Sequence, residues 1–364
     1  MRLLHRVLLL IILSIYNISY AQDQKVKIFN EEIKSNKKYN FQKIKSFVQN
    51  KNAYDFMALG YFINANNNMY VKTGDKTYLE NNLTIIKPIL IENTETSYFN
   101  NNWKMNAPIN NQNSVVNGKE HQISEGYFFR YVGEFLDIIS KNNLYGNYQN
   151  SILNGLKYSF NKWKDKSFSK YNDYSLLFHQ YLHTGANWAI VALYLNKYDF
   201  KNSQTYLTFT NQFDQQLRTA LQLKDEKGVK YYVWNSNYPE RFCALLKSIK
   251  NYDPIIQDVS HGNHVVLYLL KAKELKNKNW ENFNFIYLAN TLKIKILKNN
   301  SISDNVDGSS SNAVKNTGWK ISDGWMKLIY YDKSLYPLFE KSLTNYQNKI
   351  NNSVLESQFN SIYP

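Results

Sequence analysis

Cysteine is all but missing, with Cys243 the one thiol in 364 residues. A disulfide framework is therefore excluded, and packing alone must hold the fold, which favours one large core. The chain also lacks a Gly-x-Ser-x-Gly elbow, a phosphate-binding glycine loop and a dinucleotide fingerprint. Covalent serine or cysteine catalysis is accordingly not expected, and no cofactor is implied. No apolar run reaches the length of a membrane span, and no strand–helix alternation suggests a parallel sheet.

What is present begins with Arg2 and Arg6, an apolar run over residues 7–15, and Ser19-Tyr20-Ala21. A basic start, a short apolar segment and small residues before Gln22 specify a secretory signal peptide over 1–21, cleaved near Ala21. No cysteine follows it, so lipid anchoring at that junction is not expected. The remainder, 22–364, is read as one domain, exported to the periplasm or beyond. The formal charge of +15 becomes +13 once the two arginines leave with the signal. Such a field concentrates anionic partners, and for an exported chain these are acidic polysaccharides or an anionic cell surface rather than nucleic acid. The abundance of lysine beside asparagine, isoleucine and tyrosine also fits a genome-wide drift in composition.

The stretch around which the chain is organised is 257–275, where Asp258, Ser260, His261 and His264 precede an unbroken apolar run. Asp258 or Ser260 can cap the first helical turn, and the two histidines, three apart, share one face of it. In isolation this is an ordinary capped helix. A second stretch repeats the design, however, with His179 and His183 ahead of Thr184-Gly185-Ala186-Asn187-Trp188 and an apolar run, Thr184 being the expected N-cap. These clusters hold four of the chain's six histidines.

Apolar residues at spacings of three and four predict helices along most of the chain. Two are expected between residues 29 and 61 and a third over 78–91. A polar loop over 93–121 follows, then a hairpin of helices from Ser124 and over 148–163, with Leu144-Tyr145-Gly146 at the turn. A returning helix is expected over 213–223, a short strand over 228–234 after the turn-prone 225–228, and further helices over 283–297, 325–331 and 335–350. About eleven helices arranged as hairpins, with a short β element, make an all-α fold.

Successive helical hairpins with aromatic and histidine-bearing loops at one set of ends resemble the (α/α) toroids of polysaccharide-degrading proteins, both alginate-lyase-like and six-hairpin glycosidase-like. In outline the chain is similar to toroidal alginate-lyase-like proteins, which carry an Asn and a His on one helix-end segment and an Arg and a Tyr some way downstream. Matching stretches here are His183 to Trp188, then Tyr231-Tyr232 with Tyr238 and Arg241. In that family the Asn and His are adjacent, whereas His183 and Asn187 are four apart. The resemblance implies an inner ring of helices whose ends line a cleft.

A lyase of that kind must neutralise a uronate carboxylate, supply a base and supply an acid to the leaving oxygen. Asn187 or Arg241 is expected to neutralise, His183 or His261 to act as base, and Tyr232 or Tyr238 as acid. Glu125, Arg130, Trp188, Trp234, Asp258, His264, Trp319 and Trp325 are expected to bind substrate, since aromatic faces beside polar loops suit sugar rings. Each has an ordinary alternative: the tryptophans as core, Glu125 as a helix N-terminal charge, Arg130 as a partner of Glu134. A glycoside hydrolase would instead need two facing carboxyl groups, Glu125 with Asp258 and Asp323 in reserve. A non-catalytic glycan-binding protein would use the cleft alone. Asp258, His261 and His264 lack the spacing of zinc hydrolases, so no metal is expected.

Overall fold

A computed structural model describes residues 24, 26–36, 38–106, 116–298, 300–310 and 317–362. The expected signal segment lies outside them. The described chain is predominantly helical, with two small antiparallel sheets. Residues 26–35 are helical, and the helices that follow are α1 (Phe41–Asn50), α2 (Phe56–Thr73), α3 (Thr77–Ile86), α4 (Gln122–Lys141), α5 (Gly146–Tyr171), α6 (Ser175–Phe178), α7 (Leu182–Tyr198) and α8 (Ser203–Ala220). After the hairpin β1 (Gln222–Glu226) and β2 (Val229–Val233) come α9 (Ala244–Ser248), α10 (Val259–Glu274) and α11 (Phe285–Thr291). The two-residue strands β3 (Leu297–Lys298) and β4 (Ser301–Ile302) precede α12 (Asp323–Met326), α13 (Leu335–Thr344), α14 (Gln347–Ile350) and α15 (Glu356–Ile362).

Helix pairs that follow one another in sequence pack as hairpins: α2 with α3, α4 with α5, α7 with α8. The first member of each pair is the more buried, as in α7, which is buried from Leu182 to Leu195. Those buried helices also pack on one another in order, α2 on α4, α4 on α7, α7 on α10 and α10 on α12, and α15 returns to α2. Between the two layers lies one continuous apolar cluster. Phe160 of α5, for example, meets Trp188 of α7 edge-on at 6.4 Å and Phe209 of α8 at 5.7 Å. Gly60 lets α2 approach α4, since a Cβ there would stand 2.7 Å from the Tyr127 carbonyl oxygen.

Local boundaries depart from the sequence expectations where tertiary pairing overrides local pattern. The returning helix stops at Ala220, and residues 222–226 become β1, paired with β2 in register Gln222 to Val233. The turn at Lys227-Gly228 is as expected, both residues having positive φ. Helix α7 begins at Leu182 with Tyr181 as its N-cap, so Thr184 and His183 lie inside the helix. A bridge from Tyr181 to Asn237 and the bond from the Leu182 N–H to the Ser236 carbonyl set that earlier start. The 335–350 helix is broken after Thr344, and the short C-terminal α15 was not anticipated. Asp258 is the cap of α10, its Oδ1 accepting from the His261 N–H at 2.9 Å. Such a cap contributes about 1 kcal/mol.

Candidate functional site

All five histidines among the described residues gather where α4, α7 and α10 begin. His183 of α7 stacks on His261 of α10 with ring centres 4.2 Å apart, and His264 is 6.3 Å from His183. Tyr181 also stacks on His183, at 5.6 Å. His179 lies 6.2 Å from Tyr181 and electrostatically couples to both His121 and His183. Helical spacing explains the convergence: positions three or four apart share a face. Thus His261 and His264, His183 and Asn187, and Tyr127, Arg130 and Tyr131 each project together.

Arg130 is the hub. Its side chain is only 1 % exposed and lies over the rings of Tyr131 and Tyr127, whose centres are 4.3 and 4.9 Å from its guanidinium carbon. One terminal nitrogen donates to Asn187 Oδ1 at 2.5 Å and lies 2.7 Å from His264 Nδ1, while the other donates to the Tyr131 hydroxyl at 2.6 Å. Because arginine cannot surrender its proton, His264 Nδ1 must accept. His264 is therefore the neutral Nε2–H tautomer, donating to the Tyr127 hydroxyl at 2.7 Å. Burial, followed by the Arg130 charge, holds the His264 pKa well below the ordinary imidazole value. The Tyr127 hydroxyl proton is left free to donate, and burial raises the Tyr127 pKa.

Among the described residues no carboxylate forms an ion pair with Arg130. The nearest balancing charge is relayed through Tyr131, whose hydroxyl donates to Asp323 at 3.0 Å, and Asp323 is itself held by Asn263 at 3.2 Å. A buried cation without an anion in contact is costly. Two further buried donors, Arg130 Nε and Asn187 Nδ2, and His183 Nδ1 have no partner. Arg130 fixes the Asn187 amide with its oxygen inward, so the Nδ2 group is the side left to bind an acceptor.

His261 is the open member of the cluster, its side chain 46 % exposed. Its Nδ1 donates to Asp258 Oδ2 at 2.8 Å, which leaves the Nε2 lone pair available to a reactant. Burial raises the Asp258 carboxyl, but hydrogen bonds from the His261 ring and backbone and from Ser260 outweigh it and hold the group well below the usual carboxylate range. Burial, then the charge of His261, lowers His183. The arrangement supplies an oriented base, neutral imidazoles and a cation-backed amide donor.

Of the residues singled out from the sequence, His183, Asn187, His261, His264, Arg130 and Asp258 are brought together. Others are not. Glu125 faces outward between α4 and α5, bonded to Tyr98, to Trp163 Nε1 at 2.6 Å and to Lys162 at 3.0 Å. Trp188, Trp234, Trp319 and Trp325 are buried, Trp234 stacking on Trp325 at 5.8 Å, so none offers a face to a sugar. Tyr232 stacks on Phe283 at 5.2 Å in a separate groove with Trp280 and Tyr287. Tyr238 is buried and donates to the Phe178 carbonyl at 3.0 Å. Arg241 is exposed, beside Lys250 and Tyr252. Sequence reasoning missed Tyr127, Tyr131 and Tyr181. The first two were findable, since Tyr127 stands three residues before Arg130 and four before Tyr131.

Among the described residues no group of three His, Cys, Asp or Glu is placed to hold a metal ion. His264 has both nitrogens engaged by Arg130 and Tyr127, which removes it as a partner for Asp258 and His261 in such a site. No helix among them is long and apolar enough to cross a membrane. Comparison with protein-family models, with curated proteins and with solved structures gives no match to this chain.

Proposed function

We propose that the chain is an exported lyase that cleaves an acidic, uronate-containing glycan by β-elimination, on an (α/α) toroid of helical hairpins. The cyclic packing order of α2, α4, α7, α10, α12 and α15 supports the toroid. The observation that carries the activity is Arg130, a buried guanidinium with no carboxylate in contact among the described residues, backing the Asn187 Nδ2 that has no partner among them, near an exposed, carboxylate-oriented His261. A site so built is matched to an incoming anion next to a proton acceptor.

In this reading the substrate carboxylate receives Asn187 Nδ2 and His183, with the Arg130 charge behind the amide. Neutralising that carboxylate acidifies the neighbouring carbon. His261 Nε2 takes the proton, and Asp258 stabilises the imidazolium that results. The carbon–oxygen bond to the leaving sugar breaks as the double bond forms, and Tyr127 protonates the departing oxygen. Its phenolate is then held by the His264 Nε2–H and by Arg130 over the ring. A hydrolase built on Glu125 and Asp258 is not favoured, because Glu125 is turned into the α4–α5 interface. The test is to incubate the mature protein with a panel of uronate polysaccharides and follow ultraviolet absorbance of the unsaturated ends. Absorbance rising with one of them is expected; a flat trace with all, with and without calcium, would remove the proposal.

A further inference from the structure

His179 has φ 55° and ψ −159°. Other non-glycine residues with positive φ, such as Lys51, Asn101, Tyr145 and Asn172, have ψ between 25° and 40° and sit in the ordinary left-handed region. His179 falls instead close to the region that glycine alone adopts without strain. Such a conformation persists only where the surroundings over-determine it, and here they do on both sides. Its N–H donates to the Ser175 carbonyl at 2.8 Å, and the Phe178 carbonyl just before it accepts from the Tyr238 hydroxyl at 3.0 Å. Downstream, the Leu182 N–H donates to the Ser236 carbonyl at 2.8 Å and Tyr181 bridges to Asn237.

Chain folding alone would place a glycine at this point. The side chain that stands there instead is a half-buried imidazole whose Nδ1 is buried and unpartnered. It lies against Tyr181 at 6.2 Å and next to His121, whose own Nδ1 pairs with Ser124 Oγ at 2.7 Å. The ring thus extends the cluster from the Tyr181–His183–His261 stack toward the start of α4.

We propose that His179 is a substrate-contacting residue of this site, held in a glycine-type backbone conformation so that its imidazole can exchange hydrogen bonds with a sugar hydroxyl beside the bound carboxylate. The assignment rests on the glycan reading of the histidine cluster. A neutral imidazole offers one donor and one acceptor, and a sugar hydroxyl can answer both. Burial keeps His179 below the ordinary imidazole value, in line with that form.

Two measurements test this. Melting temperatures of His179→Gly and His179→Ala separate backbone from ring, since both remove the imidazole and only the first relieves the strain. His179→Gly is expected to melt several degrees above His179→Ala and no lower than the parent. Equal melting of the two would overturn the strained placement. The second measurement follows the imidazole resonances of the parent protein by NMR as polygalacturonate and alginate oligosaccharides are added. Movement of the His179 and His261 signals together is expected. Movement of His261 without His179 would overturn the assignment of His179 and leave the lyase reading standing. If no imidazole signal moved with either sugar, both would fall.

Discussion

Arg130 and Glu134 stand one turn apart on α4, both buried and both charged, and their surroundings differ in kind. Glu134 is fully answered: Lys271 lies 2.6 Å and Lys327 3.8 Å from one oxygen, and Asn64 and Asn67 donate to the other at 2.9 and 3.3 Å. Against burial, which raises it, those lysines hold the Glu134 carboxyl far below its ordinary value. Among the described residues Arg130 has neutral partners, one unpaired nitrogen and no contacting anion. The buried charge of Glu134 is answered within the fold, whereas that of Arg130, beside an exposed histidine and a strained one, is what the proposed site rests on.

The comparison is sharpest under substitution. Glu134→Ala leaves the Lys271 ammonium buried without its main partner, so unfolding free energy is expected to fall by about 3–5 kcal/mol in denaturant titration. Turnover per folded molecule is expected to persist. Arg130→Met removes a charge that lacked a counter-ion, so stability is expected to fall by only about 1–2 kcal/mol from the lost hydrogen bonds. Glycan turnover, in contrast, is expected to drop about 100-fold or more, the order of one lost charge-stabilising donor. Similar stability losses for the two variants with similar activity losses would erase the distinction.

Much of this contrast was legible in the sequence, and part of it was not. The spacing of His261 and His264, with Asp258 as cap, and of His183 and Asn187, is a helical-face pattern that tertiary structure preserved. Tyr232 and Arg241 were drawn in by the resemblance to toroidal lyases, but β2 pairs with β1 and packs on α11, away from the cluster. The four tryptophans could not be assigned from sequence, because aromatic side chains suit a core and a sugar platform equally. A wheel of α4 sets Glu125 apart from Tyr127 and Arg130, but local pattern does not say which of the two sides meets the cluster.

Acid separates the two regions by a smaller margin. His183 and His264 are lowered in the fold from the ordinary 6.5, and His121 falls to about 4, burial being the first cause in each. Below pH 6.5 the unfolded chain then binds protons that the fold refuses, so stability declines as pH falls through that window. Glu134, also lowered, contributes fully above its unfolded value of 4.5 and is lost only as pH falls beneath it. A melting series is expected to show decline beginning near 6.5, and His264→Asn to flatten that first limb.

The smallest effect concerns a site remote from both. Burial, then the neighbouring Glu356 and Glu31, raises Glu32 to about 8. A raised carboxyl contributes stability below its unfolded value and loses it as pH rises through the folded one. Hydrogen exchange over residues 26–36 is expected to quicken as pH rises through about 8 beyond the intrinsic dependence, and Glu32→Gln to abolish the excess.

The central claim is that the histidine cluster is a working site rather than a packed interior, and His261→Ala tests it most directly. Melting temperature and uronan turnover would be measured on the same preparation. The expected result is a melting temperature within a few degrees of the parent with turnover abolished, since His261 is exposed and its ring contributes little to the core. A large fall in melting temperature with unchanged turnover per folded molecule would contradict the account.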